Sequence, residues 1–193
     1  VSCASCHQPP RAFTDGHVRS LTFTGERTRH NTPSLINVAY NTSFGWLDDD
    51  RSSLEQQIRI ALRDDMGNAE PQNSAVLALA TFVRSLIQAD TPFDRYLFHD
   101  EPLPPDAKRG MLLFFDESTG CAGCHSGLLF GGAAGAPVFH EGVRAPSLRE
   151  LNHTAPYLHD GSATSLREVI ERYGLPLTSP DYDDLEVFLA TLS

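Results

Sequence analysis

The sequence predicts an all-α chain of two tandem units, and three observations predict it. Apolar residues recur with helical rather than strand spacing, one pentapeptide of the form Cys-x-x-Cys-His occurs twice, and a proline-rich stretch separates the copies. At 193 residues and 40% hydrophobic, the chain is long enough for two small cores.

The copies are Cys3-Ala4-Ser5-Cys6-His7 and Cys121-Ala122-Gly123-Cys124-His125, and together they use all four cysteines. Cys-x-x-Cys-His is the attachment signature of c-type haem, in which both thiols join the macrocycle and the histidine ligates iron. Zinc sites made from two Cys-x-x-Cys pairs seldom carry a histidine directly after each second cysteine. A thioredoxin-type motif needs a βαβ setting that neither copy has, and two disulfides leave the repeated histidine unexplained. Two covalently bound haem c groups are the expectation, each adding apolar volume to one unit.

The elements follow in order. Gln8 to Pro33 reads as a long loop of the kind that wraps a haem. Ser52-Ser53-Leu54-Glu55 starts a helix running to about Arg63, with Leu54, Ile58, Ala61 and Leu62 on its apolar face. Asn73 is expected to cap a second helix over Ala75 to Ala89, with Leu79, Phe82, Val83 and Leu86 in the core. Pro102, Pro104 and Pro105 make His99 to Asp106 a linker, dividing residues 1–100 from 101–193. Ala107 to Phe115 leads as a helix into the second pentapeptide, and Ser126 to Pro146 forms a second wrapping loop. Thr164-Ser165-Leu166-Arg167-Glu168 starts another helix, which ends near Tyr173 and is stopped by Gly174 and Pro176. Asp181 to Leu192 is a terminal amphipathic helix, with Leu185, Phe188, Leu189 and Leu192 on one side.

A formal charge of −10 disfavours nucleic acid and anionic membrane and suits a basic protein partner. No apolar run approaches the length of a membrane span. The chain opens just before the first pentapeptide, so the helix that would lead into it is missing. Thioether attachment of haem takes place outside the bacterial inner membrane, so the expectation is a periplasmic protein freed of its leader.

Further motifs carry a family resemblance. Val1-Ser-Cys-Ala-Ser-Cys-His7, Asn31-Thr-Pro-Ser-Leu-Ile-Asn-Val-Ala-Tyr40 and Pro92-Phe-Asp-Arg-Tyr-Leu97 resemble the first half of the bacterial di-haem cytochrome c peroxidase and MauG superfamily. Gly120-Cys-Ala-Gly-Cys-His-Ser-Gly127, Arg144-Ala-Pro-Ser-Leu-Arg149 and Thr154-Ala-Pro-Tyr-Leu-His-Asp-Gly161 resemble its second half.

The resemblance implies two tandem cytochrome c-like domains with different duties. The haem on His7 would be peroxidatic, and the haem on His125 an electron reservoir. Trp46, the sole tryptophan and ten residues before Gln56, would bridge them. Tyr173 stands where the family's peroxidases carry a methionine ligand, which resembles the MauG-like branch. A phenolate is a hard anionic donor that favours ferric and higher-valent iron. Calcium between the haems would be held by Asn31 and the backbones of Thr154 and Pro156. Arg144 and Arg149 would pair with haem propionates; His159 matches a family histidine near the inter-haem region.

In the peroxide pocket, Gln56 matches the family's glutamine, while its glutamate falls one residue short, on Asp64-Asp65, of which Asp65 is the better match. The span from Met66 to Ala75 and the loop after His125 are shorter than the family usually has. His17 and His30 are candidates for a sixth ligand on the first haem. The implied activity uses hydrogen peroxide, with electrons from a small cytochrome or cupredoxin, or with a protein substrate oxidised as MauG does. The rival is a plain di-haem electron-transfer cytochrome, marked by strong distal ligands on both haems.

Overall fold

The computed structural model describes residues 1–47, 52–132 and 137–193. Part of the second wrapping loop, residues 133–136, lies outside them. The order is α1 (Cys3–Cys6), α2 (Leu54–Ile60), α3 (Asn73–Arg84), α4 (Pro92–Phe98), α5 (Pro105–Phe115), α6 (Cys121–Cys124), a hairpin of β1 (Phe139–His140) and β2 (Val143–Arg144), α7 (Leu166–Glu171) and α8 (Ser179–Ala190). The helix starts are chemically marked. Ser53 Oγ accepts the Gln56 amide at α2, Thr91 and Asp94 cap each other at α4, and Thr178 with Asp181 does the same at α8.

Two cores result. The first gathers Val38, Phe44, Leu54, Ala80 and Val83, where α2 lies against α3 and the Glu55–Arg84 ion pair spans their outer side. The second is aromatic: Phe93, Phe114, Phe130 and Phe188 meet mostly tilted or edge to face around the crossing of α5 and α8. All four apolar residues expected on the terminal helix, Leu185, Phe188, Leu189 and Leu192, are buried there.

Three expectations shift. Phe82 is 54% exposed, and the buried face of α3 is Val76, Ala80 and Val83, because small residues let α2 approach closely. Asn73 begins α3 rather than capping it; its side chain accepts from Arg59. The change of core falls between α3 and α4, ahead of the expected division at residue 100: Phe93 packs in the second core, and Asp94 is buried against Arg149. The helix after Ser53 also continues through a wider π turn over Ala61–Asp65, which ends at Gly67 with φ +76°.

Backbone contacts join the two halves. Asn31 N–H donates to His159 O (2.8 Å) and Arg144 N–H to Trp46 O (2.8 Å), while Leu47 bridges Val143. Gly161 lies so close to Val18 that a Cβ there would sit 2.7 Å from the Val18 carbonyl oxygen.

Candidate functional site

Each pentapeptide folds as a single helical turn closed by the histidine amide: His7 N–H donates to Cys3 O (2.8 Å) and His125 N–H to Cys121 O (2.9 Å). A spacing of three puts both thiols of a pair on one face of the turn. All four cysteines are free.

The histidines are prepared alike. His7 Nδ1 lies 2.8 Å from Phe13 O and His125 Nδ1 lies 2.9 Å from Phe130 O. A carbonyl only accepts, so each Nδ1 carries the proton and each Nε2 lone pair is left for a metal. Burial holds both imidazoles below their ordinary pKa, which keeps them neutral and able to ligate. Both phenylalanines adopt left-handed backbone, φ +60° and +52°, conformations that cost a bulky residue free energy and here aim a carbonyl at a histidine. The sequence reading missed this pair; its only signal was a Phe six residues after His7 and five after His125.

A cavity of about 690 Å³ opens before the second pentapeptide, walled by Cys121, Cys124, His125, Phe114, Leu185 and Tyr173. Tyr173 follows α7 directly before Gly174, whose φ of +61° ends the helix and exposes the ring to this wall. The tyrosine is 64% exposed overall, and partial desolvation at the cavity, then the neighbouring Cys124 and Cys121 sulfurs, push the phenol's pKa up. Burial also raises the Cys121 thiol. Apolar walls, two thiols on one face and a neutral imidazole fit a covalently held haem.

Trp46 lines the same cavity from the other half of the chain. It is buried, its indole N–H donates to Asn31 O (2.7 Å), and its own carbonyl receives the Arg144 amide. Arg144 is buried at the cavity wall. Its Nε donates to Gly45 O (2.9 Å), and its terminal nitrogens meet no acceptor among the described residues. Desolvation pulls its pKa down. A buried cation open to the cavity suits an acidic edge group.

Arg149 does not. All its donors are taken, by Asp94 (2.6 and 2.8 Å), Thr91 Oγ1 (3.2 Å) and Leu128 O (3.0 and 2.9 Å), so the expected propionate contact is replaced by a buried ion pair. Asn31, Thr154 and Pro156 do line one cavity. Asn31 Nδ2 donates to His17 O (2.9 Å), which leaves Oδ1 as its acceptor end.

Around the first pentapeptide, Cys6 is pushed up by burial, opposed by a Ser20 hydrogen bond and reinforced by the charges of Asp15 and Asp65. Asp65, at the end of the π turn, is therefore within electrostatic reach of the thiol; its carbonyl also accepts the Phe23 amide (2.8 Å). Gln56 is exposed on α2. His17 is exposed, and His30 turns its ring to His159 with centroids 5.8 Å apart. A second unanticipated feature is buried Asp15, which accepts from Ser20 Oγ (2.5 Å), itself bonded to Thr32 Oγ1 (2.5 Å).

Comparison with known proteins finds similar sequences and folds. The family model described as di-haem cytochrome c peroxidase matches residues 1–77. The methylamine utilization protein MauG of Methylorubrum extorquens is 33% identical over 90% of this chain and 63% of its own length. The chain spans about two thirds of the length of the first curated relatives it matches, 63% and 66%. A MauG-like protein associated with microbial copper homeostasis superposes with a TM-score of 0.85 at 27% identity, covering 100% of this chain and 82% of that one. The di-haem peroxidase BthA of Burkholderia thailandensis shares the fold, with a TM-score of 0.80 at 20% identity over 100% of this chain and 81% of its own. With its duplicated Cys-x-x-Cys-His turns and a tyrosine lining the cavity beside the second, the chain is similar to proteins of the di-haem cytochrome c peroxidase and MauG superfamily, most of all to those on its MauG-like side.

Proposed function

We propose that this chain is the di-haem part of a periplasmic peroxidase-type oxidoreductase built as two tandem cytochrome c-like units. Cys3, Cys6 and His7 hold one haem c; Cys121, Cys124, His125 and Tyr173 hold the other. Bound haem supplies iron that reduces hydrogen peroxide and a couple that stores oxidising equivalents.

The chain's own residues then have distinct tasks. Asp65 holds or moves the proton that peroxide reduction requires beside the first haem, assisted by Gln56 of the same helix. Arg144 neutralises an acidic edge of the second haem. Asn31, Thr154 and Pro156 offer oxygen donors to a calcium ion between the halves. Trp46 carries electrons or holes from one half to the other. The reading is carried by one observation: a single cavity is lined by Cys121, Cys124, His125, Tyr173 and the buried indole of Trp46. The reducing partner is a small cytochrome or cupredoxin, or a protein side chain is oxidised instead; Tyr173, a ligand that favours oxidised iron, supports the second outcome.

Absorption and EPR spectra before and after one equivalent of peroxide test this. One high-spin and one low-spin ferric haem, converting together and lastingly, is the expected result. Two low-spin haems inert to peroxide would instead make the chain an electron-transfer cytochrome.

A further inference from the structure

The Arg149 guanidinium sits at the centre of an arrangement that no haem edge group needs. Nη1 and Nη2 grip both oxygens of Asp94 at 2.6 and 2.8 Å, and Nε with Nη2 converge on Leu128 O at 3.0 and 2.9 Å. Side-chain exposures of 3% and 6% make this a desolvated pair. Burial pushes the Asp94 carboxyl up, but the Arg149 hydrogen bonds and the Thr91 amide and hydroxyl more than offset that, leaving it ionised below its usual range.

The gripped peptide is the segment that ends in Phe130. Ser147 Oγ holds the next carbonyl, Leu129 O, at 2.7 Å, and the Leu148 amide donates to it as well (3.2 Å). Two residues beyond Leu128, Phe130 O receives the Nδ1 proton of His125, and the guanidinium lies 5.8 Å from the Phe130 ring centroid. Phe130 is left-handed, so its carbonyl stays aimed at the histidine only while the flanking chain is held.

We infer that Asp94 and Arg149 are positioning residues that set the donor strength of His125 by clamping Leu128–Phe130, and thereby hold the second haem at a low reduction potential. A firm Nδ1–H···O bond makes the imidazole a stronger donor and favours the oxidised metal. Releasing the clamp lengthens that bond and raises the potential. The first half has no counterpart of this ionic clamp among the described residues: the peptide beside Phe13 is held by Ser34 Oγ on Ala12 O (2.7 Å). The inference rests on the reading that His125 ligates a haem.

The test is a spectroelectrochemical titration of the holoprotein after haem content per chain has been measured. Arg149→Lys keeps the charge but cannot span Asp94 and Leu128 O together. It should shift the second haem toward its reduced form about tenfold, or ~59 mV for a one-electron couple, with the first haem unmoved. A haem-loaded variant with an unshifted second potential overturns the clamp. A wild-type chain without haem on Cys121 and Cys124 overturns the underlying reading instead. If Arg149→Lys does not fold, the apolar pair Asp94→Leu/Arg149→Met carries the test, since such pairs can keep stability while removing the grip. A raised potential in that folded variant supports the clamp, and a native potential shows that the pair serves packing alone.

Discussion

Gly110→Ala separates close helix crossing from helix propensity, because the two predict opposite signs. In an exposed helix the change stabilises by about 1 kcal/mol. Here Gly110 faces α8, and a Cβ would lie 1.9 Å from Asp184 O, 2.5 Å from Asp184 C and 2.8 Å from Phe188 Cβ. Two of those atoms are backbone and cannot rotate away. Restoring an ordinary 3.4 Å contact requires α5 and α8 to part by about 1.5 Å. The parting falls on Ala107, Phe114, Leu185 and Phe188, each at most 2% exposed. Overpacking of this kind outweighs the propensity gain, for a net loss of about 2–3 kcal/mol. Thermal melting of the holoprotein, followed by far-UV dichroism and the haem absorption band, should drop by roughly 5–10 °C. Gly123→Ala, with nothing within 4 Å of its Cβ, is the reference and should not melt earlier. An unchanged or higher midpoint for Gly110→Ala would refute the close-crossing argument.

The Asp94–Arg149 pair predicts an acid-sensitive core. The folded pKa of Asp94 lies below its ordinary 3.8, so its contribution is complete above that value and is lost as pH falls through the lower, folded one. Urea midpoints measured from pH 6 downward should fall less steeply in Asp94→Asn below about pH 4 than in wild type; parallel curves would count against an ionised pair. Removing the carboxylate by Asp94→Ala should cost about 3–5 kcal/mol, because it strands a buried guanidinium. Trp46→Phe keeps a ring but loses the donor to Asn31 O, costing about 1 kcal/mol and uncoupling the two haems' response to peroxide. A joint, undelayed spectral change in that variant would remove Trp46 from the transfer path.

What was legible in the sequence was local and periodic. The pentapeptides, the helix starts at Ser52-Ser53-Leu54-Glu55 and Thr164-Ser165-Leu166, the terminal helix and the Gly174 stop each depend on residues within a few positions of one another. The face of α3 was not legible, because Leu77, Leu79, Phe82, Val83 and Leu86 leave apolar residues almost all round it, and the side that packs was chosen by the small Ala80 fitting against α2. Trp46 and the cavity residues came from resemblance, not periodicity, since their meeting depends on loops distant in sequence. Asp94 was hidden for the same reason. Its local role is to cap α4, and its buried partner lies 55 positions away. The left-handed Phe13 and Phe130 carry no sequence mark, since bulky residues adopt that backbone only when surrounding structure compels it.

The two Cys-x-x-Cys-His turns obey one local rule and are fixed by unlike means, and that difference bears on how the halves would divide their work on the function proposed above. Beside His7, Ala12 and Phe13 are both left-handed, held by the Ser34 hydroxyl, while buried Asp15 is met by the Ser20 hydroxyl and His17 amide and makes no ion pair among the described residues. Hydrogen bonds of this kind contribute about 1 kcal/mol between neutral groups and about 1.5–3 kcal/mol to a carboxylate, so the loop opens bond by bond. Beside His125 the corresponding peptide is gripped by a desolvated ion pair and backed by the aromatic core, so local opening there must disrupt both. On the proposed function, a site that admits peroxide benefits from a loop that yields. A site that changes oxidation state repeatedly benefits from a ligand whose geometry does not, because each reorganisation of the donor would raise the barrier to electron transfer between the halves. The ionic clamp therefore belongs on the second turn, where the chain has it.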